Sequence, residues 1–162
     1  SSLLAQPAAL SPATVAALYV DVDYLKVIND TYGHGVGDDV IRTVAHRIAD
    51  TVRGSDLLAR IGGDEFVVVL PQVRGAADVV LVGEKIRDAC REPVLSDGHR
   101  IAITLSMGGA LAEPDDDPEA LLQRADRALY RSKRAGRNCL HMYDSSLGPA
   151  PDPEPRDPTP AP

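Results

Sequence analysis

Asp21, Asp23, Asp64 and Glu65 are the residues of this chain whose types and spacing point most directly to chemistry. The first two lie in "VDVD", at the end of the apolar run 15–22, which reads as a short strand. Side chains two apart on a strand share a face, so Asp21 and Asp23 are expected to point the same way. The other two follow Gly62 and Gly63 in "RIGGDEFVVV", between two further strand-like runs. Adjacent glycines supply the positive φ angles of a tight hairpin, which is all that a purely structural turn requires. That leaves two successive carboxylates unexplained. If the hairpin lies beside the first strand, Asp21 and Asp64 converge. Two carboxylates with a backbone carbonyl form an oxygen-rich site that suits Mg2+. Solvated acids at strand ends are the competing explanation.

Residues suited to a nucleotide surround these acids in the sequence, although neither a G-x-x-x-x-G-K-[ST] loop nor a G-x-G-x-x-G turn is present. Lys26 and Asn29 are three apart on an expected helix and share a face. Asp38 is expected to begin the next helix, across "GHGVG", where Gly33, Gly35 and Gly37 allow backbone to approach a ligand. A carboxylate that accepts from guanine N1 and N2, with an amide that donates to N3 or O6, reads a guanine edge. Asn29 and Asp38 equally suit cap and turn positions. Arg124, Arg127, Arg131, Lys133, Arg134 and Arg137 crowd the last helix and its exit. Most of them suit a solvated face near a helix C-terminus, while Lys133 and Arg137, four apart, can reach a triphosphate.

The elements that must hold these groups alternate. After the strand 15–22 comes a helix 24–32, stopped by Gly33, and a second helix with Val40, Ile41, Val44, Ile48 and Val52 on one face. "DLLARI" and "EFVVVL" are strands around the glycine turn, and 76–89 is a third helix. "RIAITLSMGGALA" reads as one strand ending in a glycine bulge. Asp117 and Pro118 start a fourth helix as N-cap and first-turn proline, Gly136 ends it, and "CLHMY" closes as a strand. The order β-α-α-β-β-α-β-α-β implies an α+β fold with a central, mostly antiparallel sheet flanked by helices.

The chain has 162 residues, enough for one domain and one sizeable core. Residues 1–14 read as a lead-in or a truncated N-terminal element, 15–143 as the folded domain and 144–162 as a proline-rich, disordered tail or linker. A formal net charge of −7 argues against a nucleic-acid partner. No apolar run is long enough to span a membrane, so no membrane contact is expected of this segment. Cys90 and Cys139 have neither partners nor metal-type spacing in the sequence, which suits a reducing, cytoplasmic setting. His34, His46, His99 and His141 lack zinc-type spacing.

"DVDYLKVINDTYGHGVGDDVI", "RGSDLLARIGGDEF" and "ADRALYRSKRAGRN" together resemble the GGDEF family, the catalytic domains of diguanylate cyclases, in order and separation. The resemblance implies a fold like that of nucleotidyl cyclases and polymerase palms. It implies two Mg2+ (or Mn2+) ions held by Asp21, Asp64 and the carbonyl of Val22. It implies phosphate contacts from Lys26, Lys133 and Arg137, guanine recognition by Asn29 and Asp38, and packing of Ile41 on the base. Glu65 is cast as metal ligand or helper base, and Arg60 as a stabiliser of phosphate charge. The implied reaction joins two GTP into cyclic di-GMP and two pyrophosphates across a homodimer, with a sensory domain upstream in the parent protein.

Arg53 and Asp56 form an R-x-x-D that ends five residues ahead of Gly62, as in the family's product-inhibition site, and Lys85 or Arg87 would complete it. The chain departs from the family in lacking a D-x-L-T-G-L-x-N-R stretch before its first strand. Two other readings stay open: a non-catalytic module that senses GTP or cyclic di-GMP, and an interaction domain with no ligand.

Overall fold

The computed structural model describes residues 13–145. The expected lead-in, apart from its last two residues, and the tail from residue 146 onward lie outside them. A five-stranded sheet forms the centre, in the order β2-β3-β1-β6-β7. These strands are β1 (Thr14–Val22), β2 (Leu57–Arg60), β3 (Glu65–Val73), β6 (Leu105–Leu111) and β7 (Leu140–Met142). All neighbours are antiparallel except β6 and β7. The helices are α1 (Leu25–Tyr32), α2 (His34–Thr51), α3 (Ala76–Ala89) and α4 (Pro118–Arg134).

β1 is the middle strand, and Ala16, Ala17, Leu18, Val20 and Val22 along it are at most 1% exposed. A strand covered on both faces must be apolar nearly throughout, which is why 15–22 reads as a run and not as an alternation. Leu18, Val20 and Val22 join Leu25, Ile28, Val40, Val44, Ile48, Val79 and Ile86 in the main core, so α1, α2 and α3 cover one face. Ala17 and Ala110 meet Leu121 and Ala125 of α4 on the other.

Small residues let α4 approach closely. A Cβ on Gly108 would lie 2.0 Å from Leu129 N and 2.3 Å from Ala125 O, both backbone atoms. The buried Ser132 hydroxyl donates to Met107 O at 2.7 Å and ties the end of α4 to β6. The expected cap holds as well, with Asp117 accepting from Ala120 N at 2.8 Å. Arg124, expected on a solvated face, is instead only 13% exposed, held by Asp116 and donating to Leu111 O at 3.0 Å.

Three local expectations are corrected. The run expected as one strand contains two: β5 (His99–Ile101) turns back on β4 (Val94–Ser96) as a separate hairpin, and β6 begins after it. The turn is Asp97-Gly98, with φ of 50° and 78°, the geometry that two-residue hairpins favour. Gly108 and Gly109 pair in regular register with Tyr19 and Leu18, so they make no bulge. Lastly, α2 already includes His34 to Gly37, so Asp38 sits one turn inside it.

Candidate active site

β1 and β3 run side by side, with Asp21 opposite Glu65. The Val22 amide donates to Asp64 O at 3.0 Å, which fastens the glycine turn to the end of β1. One carboxylate oxygen from each of Asp21, Asp64 and Glu65 lies within 4.8 Å of the others. Asp21 is 2% and Glu65 5% exposed. Lys133, near the end of α4, contacts Asp21 Oδ2, while the buried Asp21 Oδ1 has no hydrogen-bond partner.

The electrostatics follow from this crowding. Burial pushes Asp21 up to about 8; the Lys133 ammonium pulls it down, and Asp64 and Glu65 push it further up. Burial also lowers Lys133, but Asp21, Glu65 and Asp64 outweigh it and hold the ammonium above the ordinary lysine range. Three carboxylates beside one ammonium leave the site short of positive charge. With oxygen ligands in reach and one carboxylate oxygen orphaned, these residues fit a hard divalent cation.

The glycines of the turn act differently from the expectation. Neither Gly62 nor Gly63 has a positive φ. A Cβ on Gly63 would meet nothing within 4 Å, and one on Gly62 only the Glu65 side chain, from 3.6 Å. The fold does not need glycine at Gly63; bare backbone there keeps space open beside the acids. Arg60 donates to Gly62 O at 3.0 Å and Gly63 O at 2.8 Å, so its guanidinium braces the turn.

Asp23 departs from Asp21. β1 ends at Val22, and Tyr24 is left-handed with φ 60°, so strand alternation stops before Asp23. Its carboxylate accepts from Thr104 and Ser106, both at 2.6 Å, and from Asn138 N at 3.1 Å. Asn138 adjoins Arg137, whose guanidinium lies 5.2 Å from the Tyr24 ring centre. The buried hydrogen-bonded role of Asp23 was not legible from its spacing, because its partners are more than 80 residues away in the chain.

The base-reading candidates Asn29 and Asp38 lie on α1 and α2, which pack on each other. Gly37 is buried, and a Cβ there would fall 1.6 Å from Asn29 Oδ1, so glycine makes room for the Asn29 amide. Asp38 is exposed and lines a cavity of about 570 Å3 with Ile41, Arg42, Leu58, Arg60 and Phe66. Lys26 lies one turn before Asn29, half-buried.

The R-x-x-D residues form a closed turn, with Arg53 N donating to Asp56 Oδ2 and Asp56 N to Arg53 O, each at 2.9 Å. Lys85 and Arg87 line a different cavity, of about 670 Å3, beside Asn138; Arg53 and Asp56 are not among its lining residues.

Comparison with known proteins bears on this arrangement. The family model described as "Diguanylate cyclase, GGDEF domain" matches residues 2–139. The chain is 42% identical over 141 residues to the response regulator PleD of Caulobacter vibrioides, covering 85% of this chain and 31% of PleD. It is 41% identical over 135 residues to the diguanylate cyclase DosC of Escherichia coli, covering 82% of this chain and 29% of DosC. It therefore spans less than a third of these relatives. The crystal structure of the GGDEF domain of PA1120 (YfiN or TpbB) from Pseudomonas aeruginosa superposes with a TM-score of 0.78 at 38% identity, covering 89% of this chain and 90% of that one. This chain belongs to the GGDEF family of diguanylate cyclase domains.

Proposed function

We propose that the chain condenses two GTP into cyclic di-GMP with release of two pyrophosphates, using Mg2+ (or Mn2+) held by Asp21, Asp64, Glu65 and the carbonyl of Val22. One observation carries this reading: three carboxylates converge at the buried end of β1, one buried oxygen of Asp21 is unpartnered, and a lysine lies beside them. Such cations, when bound, acidify the attacking 3′-hydroxyl and neutralise charge at the α-phosphate and leaving group.

The protein groups divide the remaining work. Lys133, which contacts Asp21 in the free protein, would contact a phosphate oxygen with the cation held by Asp21. Lys26 and Arg137 contact the triphosphate, and Gly63 leaves it room. Asn29 and Asp38 read the guanine edge, with Ile41 against the base. One domain holds one GTP, so two domains face each other with near two-fold symmetry during reaction. Arg53 and Asp56 take the product and restrain turnover.

Incubation with GTP and Mg2+, with chromatographic resolution of the products, tests the proposal. Cyclic di-GMP in amounts that track enzyme is the expected result. GTP bound but unconverted at every protein concentration points to a sensing module, and no binding removes the nucleotide reading altogether.

A further inference from the structure

Arg137 and Asn138 follow α4 in left-handed conformations, φ 66° and 50°, which non-glycine residues adopt only when their surroundings hold them there. Two side chains grip Asn138 from different elements. Beneath it, Asp23 accepts from Asn138 N at 3.1 Å and is itself fixed by Thr104 and Ser106 at 2.6 Å each. On the α3 side, Arg87 donates to Asn138 O at 2.8 Å and to Asn138 Oδ1 at 2.9 Å, while a 2.6 Å bridge to Glu84 steadies the guanidinium. Arg137 stands on this corner, 3.9 Å from Asp23 Oδ1 and over the Tyr24 ring.

We propose that Asp23 and Arg87 are positioning residues for Arg137: by holding Asn138 from two sides they fix the left-handed corner from which the Arg137 guanidinium is presented to the triphosphate. This rests on the functional reading above, in which Arg137 contacts phosphate. The geometry explains why a carboxylate is buried at position 23 apart from the acidic cluster. Its oxygens accept three hydrogen bonds, from β6, from the residue just before β6 and from the corner, and so lock the corner to the sheet. It also gives Arg87 a task beyond its expected inhibitory one. Its contact with Asn138 ties α3 to the corner that carries Arg137.

The test measures binding of 3′-deoxy-GTP, which lacks the attacking hydroxyl, and of GMP, which lacks the β- and γ-phosphates, both with Mg2+. Asp23→Asn and Arg137→Ala should each weaken 3′-deoxy-GTP about tenfold and GMP by less than about twofold, the size expected for a lost charge-assisted contact. Arg87→Ala, on a half-buried surface and so tolerant of truncation, should do the same about threefold. Adding Asp23→Asn to Arg137→Ala should cost nothing further, because both changes remove one interaction. If Asp23→Asn does not fold, the same cycle run with Arg87→Ala decides. A merely structural role would weaken both ligands alike, or would cost as much on the Arg137→Ala background as on the parent; either result overturns the positioning role. A parent protein that binds 3′-deoxy-GTP no better than GMP overturns the phosphate reading of Arg137 and this inference with it.

Discussion

Two carboxylates far apart in sequence become neighbours because β3 returns along β1, and the consequences can be tested residue by residue. Asp64 is only partly buried and its backbone already serves the turn through Val22, so Asp64→Asn keeps the fold while removing charge from the cluster. Cyclic di-GMP formation should fall at least about 100-fold with a melting temperature near the parent's, since the change removes a proposed metal ligand and no core contact. Activity equal to the parent's would show that Asp64 does not hold the cation. Gly37 offers a second test with opposing signs. Alanine in a helix interior is better than glycine by about 0.5–1 kcal/mol. Its Cβ would displace Asn29 Oδ1, a short side chain that can swing away. Gly37→Ala should therefore keep or raise stability while weakening GTP binding by about tenfold, the loss of the base hydrogen bond proposed for Asn29. Unchanged affinity in a titration calorimeter would remove Asn29 from the base site.

At the scale of elements, α4 is the lever of the site: its N-terminal half is set by Asp117 and Arg124 and its end by Ser132, and it delivers Lys133 to Asp21. Its distance from the sheet depends on Gly108. An added Cβ there meets backbone of Ala125 and Leu129, which cannot rotate out of the way. Gly108→Ala should cost about 3 kcal/mol or more, at the top of the range for overpacked cores. Gly35→Ala, where a Cβ would meet nothing within 4 Å, should cost nothing in the same urea titration. An equal midpoint for Gly108→Ala and the parent would mean that α4 can lift off the sheet freely. This level also shows what sequence could reveal. α3 was legible to its end residues because glycine precedes it and its apolar residues recur at helical spacing. The hairpin of β4 and β5 is masked in the sequence although Asp97-Gly98 is a hairpin signal, because Ile101, Ile103 and Leu105 alternate without a break into β6. The carboxylate cluster was legible as far as a condition, that the hairpin of β2 and β3 lies beside β1, and the pairing of β1 with β3 meets it. The tasks of Asp23, Ser132 and Arg87 were not, since each depends on a contact that only the packed sheet and helices bring about.

For the molecule as a whole, the proposed chemistry sets a requirement that one chain does not meet. A phosphodiester ring closed from two GTP needs two triphosphates facing each other, and each domain supplies one acidic cluster at the end of its β1. Two such clusters carry like charge, and the chain as a whole has a formal net charge of −7. Their approach is opposed until cations and substrate are in place. Pairing should therefore be weak in the free protein and promoted by GTP with Mg2+. Specific activity is expected to rise with protein concentration, in proportion to it while the paired form is scarce, and to level off once pairs predominate. Added sodium chloride changes the balance in a definite direction: by screening the like charges it should shift the rise to lower protein concentration, provided that substrate remains saturating. The R-x-x-D turn follows the end of α2, and Arg53 and Asp56 are neither in the acidic cluster nor among the residues lining the cavity beside Asp38, so Arg53→Ala should leave initial rates at every protein concentration in place and remove the slowing of each time course as product accumulates. Specific activity constant across about a hundredfold range of protein, over which sedimentation with GTP and Mg2+ shows only single domains, would mean that a single domain completes both bonds and that the paired arrangement is not used.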